Sequence, residues 1–292
     1  MLNTELSDKT RPQSILVIGC GLIGTSLALA VHEVDPTMVL DGVEINPVYQ
    51  EEAREKRVFR RVFAGFSEKM PSYDLAVLAV PVDIACALLP QALEKGALVM
   101  DVCSVKEAVC ETAERLQARE RFIPSHPMAG LASAGPNQAT GGLFQDRPWL
   151  FIEGWTAAEH LLPLVQSMGA RIEFLESASR HDETMAIVSH GIHLVSLSAM
   201  LAYGDALEAK GLSLAHLTGP AFRDITRLSA SPSGFWASTL RANAQAVVEH
   251  VERVISRLQS FQSTLTAGGE NELVELLDTA RMMHEEWRGE QS

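Results

Sequence analysis

The sequence of 292 residues predicts an α/β fold class, with an N-terminal, mostly parallel sheet followed by an all-helical C-terminal domain. Three observations predict it. Apolar, β-branched runs alternate with helical patterns through the first half, the signature of a parallel sheet with helices on both faces. A Gly-x-Gly-x-x-Gly turn at 19–24 joins the first such run to the first helical pattern, the sign of a Rossmann-type domain. After about residue 177 the strand signals give way to long helix-compatible stretches.

The elements follow in order. Residues 1–13 are polar and read as a flexible arm, and SILVIG (14–19) is the first strand. An apolar helical pattern runs on through Val31, MVLDGVE (38–44) is the second strand, and RVFAG (61–65) a short third. DLAVLAV (74–80) and ALVMDV (97–102) read as buried strands, and further strands are expected at 122–125, 149–152 and 171–174. Helical patterns fall between them at 47–57, 81–94 and 105–117. Helices are then expected over 179–210, 236–265 and 270–287, punctuated by Gly211, Gly219-Pro220 and SASPSG (229–234). The expected domains are therefore the arm, a dinucleotide-binding domain over 14–178, and a helical substrate and dimerisation domain over 179–292.

Composition narrows the function classes. With 47% hydrophobic and 21% charged residues the chain is not a disordered one. Its 24 basic and 37 acidic residues leave a net charge of −13, which argues against non-specific binding of nucleic acid or an anionic membrane. An anionic small molecule would need a local cationic pocket. Four cysteines without CxxC spacing read as reduced thiols, and the polar N-terminus has no secretory h-region, so a cytoplasmic location is expected. The longest apolar stretches, 75–82 and 187–201, fall short of a membrane span, the second also carrying His190 and His193.

In the glycine turn, Gly19 permits the tight bend, Gly21 admits a pyrophosphate, and Gly24 lets helix and strand pack closely. Leu22 and Ile23 open the helix, whose free N–H groups and positive dipole end face the anion. Glu44 ends the second strand, twenty positions after Gly24, where a carboxylate can bind the ribose hydroxyls and repel a 2′-phosphate. NAD is thus expected over NADP, with FAD a lesser alternative.

Three further segments carry chemistry. In DVCSVK (101–106), at a strand's carboxyl end, Ser104 either hydrogen-bonds a substrate or base, or caps the next helix in a capping box with Glu107. Lys106 is expected on that helix's surface or near phosphate. In SHPMAG (125–130), His126 suits general-base work, the alternative being a buried structural histidine. In HDETMAIVSHGIH (181–193), His190 and His193 lie on neighbouring helix faces, and no ligand set completes a metal site around them. Downstream, Arg223 and Arg227 form an i,i+4 pair that either clamps a carboxylate or is a surface face paired with Asp224. Lys210 is the sole lysine after residue 106, which disfavours a helix-borne lysine as catalytic acid or base.

In this order, GCGLIG, DVCSVK, SHPMAG, the HDETMAIVSHGIH block and FRDITR followed by Trp236 resemble the prephenate/arogenate dehydrogenase family of tyrosine biosynthesis, from Ile15 to about Asn243. The resemblance implies NAD-dependent oxidative decarboxylation of a cyclohexadienyl dicarboxylate by a homodimer, with the site between the two domains. It implies His126 as general base with Ser104 as its hydrogen-bonding partner. Arg227 and His193 would bind substrate carboxylates, and His181, Arg223 and Trp236 would shape the pocket. Three departures from the family pattern, Cys103, Gly191-Ile192 and Gly219-Pro220-Ala221, bear on substrate choice more than on chemistry. No acidic residue lies between Ile187 and Leu201, which favours prephenate over arogenate, with 4-amino-4-deoxyprephenate also open. More distant readings are a β-hydroxyacid or imine reductase and a non-catalytic NAD-binding protein.

Overall fold

A computed structural model describes residues 11–67, 69–131, 135–211 and 213–290. The expected N-terminal arm falls, up to residue 10, outside the described residues. Residues just after it are tied down: Arg11 reaches Ser167, and the backbone N–H groups of Gln13 and Ser14 both donate to Asp74.

The first part alternates strand and helix as the hydrophobic runs predict: β1 (Ser14–Ile18), α1 (Leu22–Val34), β2 (Val39–Val43), α2 (Pro47–Glu55), β3 (Arg61–Phe63), β4 (Tyr73–Leu78), α3 (Val82–Lys95), β5 (Gly96–Asp101), α4 (Glu107–Arg115) and β6 (Phe122–Pro127). Then follow β7 (Pro148–Ile152), α5 (Leu162–Ser167) and β8 (Arg171–Leu175). One eight-stranded sheet results, in the order β3-β2-β1-β4-β5-β6-β7-β8. Every neighbouring pair is parallel except β6 and β7. The chain proceeds outward from β1 in one direction, then from β4 in the other. The carboxyl ends of β1, β4, β5 and β6 therefore share one edge, the edge at which such sheets bind ligands.

Each central strand is buried on both faces, so alternate residues enter two cores. Ile15, Val17, Leu75, Val77 and Ile123 face one, with Trp149 and Phe151. Leu16, Ile18, Ala76, Leu78 and Phe122 face the other, with Val105 and Val109. This explains runs such as SILVI and DLAVL, which lack a polar alternation.

Two charges lie inside this frame. Asp101, at the end of β5, and Lys106 are both fully buried and form an ion pair. Lys106 Nζ also donates to the Ser125 carbonyl at 2.7 Å, and the Ser125 hydroxyl donates to the Asp101 carbonyl at 2.7 Å while accepting from the Trp149 indole at 3.1 Å. The expectation that Lys106 lies on a helix surface or near phosphate is corrected. It precedes α4, and the carboxylate of Asp101 holds its ammonium in the interior.

Helices account for the remainder: α6 (Ala178–Met185), a π turn at Ala186–His190, α7 (Gly191–Lys210), α8 (Pro220–Thr226) and α9 (Ser233–Ala242), then α10 (Ala244–Ala267) and α11 (Glu270–Glu290). The expected helix over 236–265 is interrupted at Asn243, whose side chain is engaged in the interior. Residues up to Ala244 form one compact unit and those from Gln245 a second. In the first, α6 packs on α4 and β8, and α9 packs on α3. The second, by itself, is two long helices with Leu258, Leu265, Val274, Leu277 and Met283 exposed.

The apolar segment Ala178–Ala209 is one continuous helical stretch, long and apolar enough to cross a membrane. The expected apolar run, 187–201 with His190 and His193 inside it, fell short of a span, and helical continuity through the π turn lengthens it at both ends. Its polar groups His181, Asp182, His190 and His193 are all buried within the protein, as in a core-facing helix.

Removing one partner of a buried ion pair leaves an uncompensated charge, at a cost of about 3–5 kcal/mol. Lys106→Ala should lose stability on that scale in urea unfolding. A loss below about 1 kcal/mol would show that Asp101 is not held as a buried anion.

Candidate active site

The glycine turn has the geometry that an anion requires. Gly19 adopts φ +94°, and a Cβ there would come within 2.4 Å of the Ala79 carbonyl oxygen. A Cβ on Gly24 would stand 2.0 Å from the Gly19 oxygen, so α1 can approach β1 this closely only with glycine. Gly21, at the N-cap of α1, faces open space, and no side chain caps the helix. Leu22 and Ile23 therefore open a helix whose first N–H groups are free to meet a pyrophosphate. Glu44 follows β2 and is largely buried; its carboxylate accepts from Cys20 N–H at 2.9 Å and Asn46 N–H at 2.8 Å. Those contacts place a fixed negative charge against the turn, and the remaining lone pairs suit ribose hydroxyls. The residues fit an NAD-type dinucleotide, and the charge opposes a 2′-phosphate.

Farther along the same edge, His126 lies near the end of β6, its ring half-buried. Its Nδ1 is 3.0 Å from His181 Nε2, and His181 Nδ1 is 2.7 Å from Asp182 Oδ1. Asp182 also accepts the backbone N–H groups of Lys106 at 2.7 Å and Glu107 at 2.9 Å. A carboxylate 75 residues downstream thus caps α4. Ser104 lies outside that helix and does not cap it. Nor does Ser104 bond His126: its hydroxyl lies 3.4 Å from that of Thr239, in α9.

A second cluster follows on the π turn and α7. Asn243 Nδ2 donates to the Asp182 carbonyl at 2.7 Å and to His190 Nδ1 at 3.0 Å. His193 stacks on Trp236 with ring centroids 3.6 Å apart and planes 9° apart, and His190 meets the same indole edge-on. His190 Nε2, His193 Nδ1 and Ser196 Oγ are buried without a hydrogen-bond partner. Arg223 and Arg227, on and just after α8, are exposed, and neither pairs with Asp224 or forms any other ion pair among the described residues. The structure thus joins His126 to His181, His193 to Trp236, and Ser104 to α9. It gives the two arginines no contact with these groups.

Four histidines here are held neutral. Burial lowers His126 and His181 well below the usual histidine range, with Lys106 and His190 adding repulsion. Burial takes His190 down to about 4 against a partial pull upward from Asp182. Burial alone lowers His193, and no carboxylate offsets it. Residues that pattern reading did not single out are Asp101, Asp182, Thr239 and Asn243. Asp101 and Asp182 stand inside the DVCSVK and HDETMAIVSHGIH segments, with no sign there of their pairing. Thr239 and Asn243 carry no local signal, because their partners are distant in sequence.

A parallel sheet with a phosphate-accepting glycine turn, and an unprotonated histidine on the same edge, defines a nucleotide-dependent oxidoreductase. The chain belongs to the prephenate dehydrogenase family: residues 27–174 match its nucleotide-binding domain and residues 177–279 its dimerization domain. It is 27% identical to the cyclohexadienyl dehydrogenase of Zymomonas mobilis, covering 89% of this chain and 91% of that protein. It is 30% identical to the probable prephenate dehydrogenase NovF of Streptomyces niveus, covering 90% of this chain and 72% of that one. In fold it resembles the crystal structure of Aquifex aeolicus prephenate dehydrogenase, solved with hydroxyphenyl propionate and NAD+. That match has a TM-score of 0.82 and 23% identity, covering 94% of this chain and 98% of that one.

His190 gives a pH test. A base whose folded pKa lies below its unfolded value of about 6.5 binds more protons when unfolded, so stability falls as pH drops from 6.5 toward 4. Between pH 7.5 and 5 the chain should lose about 2 kcal/mol more than His190→Asn in urea unfolding. Equal losses would mean that His190 is not buried neutral.

Proposed function

We propose that the chain catalyses the NAD-dependent oxidative decarboxylation of prephenate to 4-hydroxyphenylpyruvate, a step of tyrosine biosynthesis, as a cytoplasmic homodimer. The observation that carries the reading is His126. It stands at the carboxyl edge of the sheet, neutral, with Nδ1 occupied by His181 and Nε2 without a protein partner among the described residues. Family membership and the names of the relatives support the substrate class. The dimerization-domain match, with Ile187, Val188, Ile192 and Leu201 exposed on the π turn and α7, supports the dimer.

With its pyrophosphate at the glycine turn and its ribose at Glu44, an oxidised NAD would supply the two-electron acceptor. His126 Nε2 takes the proton of the ring hydroxyl as the carbon bearing it is oxidised. The ketone that forms draws in the electron pair of the departing ring carboxylate, which leaves as CO2, and the ring becomes aromatic. Arg227 and Arg223 are proposed to hold a carboxylate, since neither guanidinium group forms an ion pair among the described residues. His193, kept flat against Trp236, is proposed to meet the substrate near its other carboxylate, and Ser104 to orient the reacting groups.

The substrate preference rests on the same residues. Arogenate carries an ammonium in place of the side-chain ketone, and an enzyme selecting it would set a carboxylate near that amine. No acidic residue lies between Ile187 and Leu201, the stretch that carries His193, which favours prephenate. Arogenate and 4-amino-4-deoxyprephenate share the ring chemistry, and comparison of kcat/KM for the three should rank prephenate first. A β-hydroxyacid or imine reductase would release no CO2, and a non-catalytic NAD-binding protein would turn over none of them.

His126→Asn should keep NAD affinity and lose roughly 10²–10⁴-fold in kcat. A near-normal kcat would remove His126 from the reaction. Because His126 is held below the usual histidine range, the acid limb of kcat/KM should fall below pH 6.5, activity being lost as the ring gains a proton.

A further inference from the structure

A general base must have its lone pair on the nitrogen that faces the substrate, and a neutral imidazole exists in two tautomers. The surroundings of His181 select the tautomer of His126. Asp182 is 1% exposed, and its two oxygens meet three nitrogens: Lys106 N–H and His181 Nδ1 on Oδ1, and Glu107 N–H on Oδ2. Two of these are backbone donors and cannot reverse. Burial pushes the Asp182 carboxyl upward, while the N–H groups of Glu107 and Lys106 pull it back. A backbone donor on each oxygen favours the carboxylate anion, and an anion can only accept. The third partner, His181 Nδ1, must then be a donor as well. His181 is completely buried and neutral, so its other nitrogen, Nε2, carries only a lone pair. That lone pair faces His126 Nδ1 at 3.0 Å, which must supply the proton.

We infer that His181 and Asp182 are positioning residues for His126: the Asp182 carboxylate fixes the tautomer of His181, which holds the proton of His126 on Nδ1 and leaves Nε2 as proton acceptor. The inference rests on the reading of His126 as the base, and it gives Asp182 and His181 the orienting role that the family resemblance assigns to Ser104. During the reaction the proton from the substrate hydroxyl is added at Nε2. The imidazolium so formed keeps its Nδ1–H bond to His181, and Asp182 balances its charge through that ring. No bond to His181 or Asp182 is made or broken. The other charged and titratable groups nearby are Lys106, already paired with Asp101, and His190, held neutral.

The test begins with the unsubstituted chain, uniformly labelled with 15N at histidine and without substrate, at pH 7.5. His126 should show an unprotonated Nε2 and a protonated Nδ1, and His181 a protonated Nδ1. A protonated Nε2 on His126 overturns the inference, whatever the activity. Two variants extend it. His181→Phe keeps an aromatic ring but offers no acceptor. It should lose roughly 10–100-fold in kcat, part of the general-base contribution, with KM and NAD affinity within about twofold. In Asp182→Asn, the His126 signal should become a mixture of tautomers and the acid limb of kcat should move to lower pH, since the balancing charge is gone. A kcat loss with unchanged tautomer and unchanged acid limb would mean that the two residues act only in folding, and would overturn the inference. If the tautomer is as inferred but prephenate yields no CO2, the pairing stands and the substrate assignment falls.

Discussion

The site depends on how one buried carboxylate is satisfied. Asp182 lies in the first helix after the sheet, yet its strongest partners are backbone N–H groups at the start of α4, 75 and 76 positions earlier. A buried carboxylate without donors would cost several kcal/mol. The end of β5, the entrance to α4 and helix α6 are therefore held in one arrangement. Asn243 closes it from the far side, donating to the Asp182 backbone carbonyl. That arrangement brings His181, from α6, to the ring of His126, from β6. The base is on the sheet and its support on a helix, and they meet because the carboxylate needs the donors of α4.

Charge around the site follows a related economy. In a chain of net charge −13, the interior beside the base holds one cation, Lys106, and it is neutralised by Asp101. The Ser125 carbonyl takes a further N–H of the ammonium, and Trp149 and the Asp101 carbonyl engage the Ser125 hydroxyl. Each buried polar group on this strut has a partner, which makes the edge from β5 to β6 rigid. His126 follows Ser125 directly, so the strut fixes where the base stands as well as its electrostatic surroundings. Along α7 the pattern differs. His190 Nε2, His193 Nδ1 and Ser196 Oγ have no partner, and groups of that kind cost about 1–3 kcal/mol each. The cost falls on the helical side of the site, while the buried side chains of Asp101, Lys106, Ser125 and Trp149 at the sheet edge are paired.

Much of the frame was legible in the residues. The strands announce themselves as β-branched runs because both faces of the sheet are buried, and the glycine turn because its backbone admits no Cβ at Gly19 or Gly24. His126 was legible as a histidine at the end of a strand. What escaped reading has two physical causes, burial that local pattern does not show and partners far apart in sequence. Lys106 looks like a surface residue because the packing that buries it with Asp101, five positions away, leaves no mark on the pattern. Ser104 with Glu107 looks like a capping box, yet the cap comes from Asp182. The reversal of β7 leaves no trace, since PWLFI is equally apolar in either direction. The division at Ala244 is a property of packing, and the change from strand to helix after Leu175 is a property of local pattern.

A base held well below the usual histidine range is a weak base, and weakness by itself works against proton abstraction. The two requirements separate in time. In the free enzyme, burial and the nearby Lys106 keep His126 unprotonated, so the lone pair is present when substrate arrives. The proposed substrate is a dianion, and negative charge brought against a partly desolvated imidazole favours the imidazolium. Basicity therefore rises in the complex, where it is used. Arg223 and Arg227, which form no ion pair among the described residues, would limit how far by neutralising part of that charge if they hold a carboxylate as proposed. Low proton affinity before binding and higher affinity after it are two consequences of the same dry, weakly cationic environment.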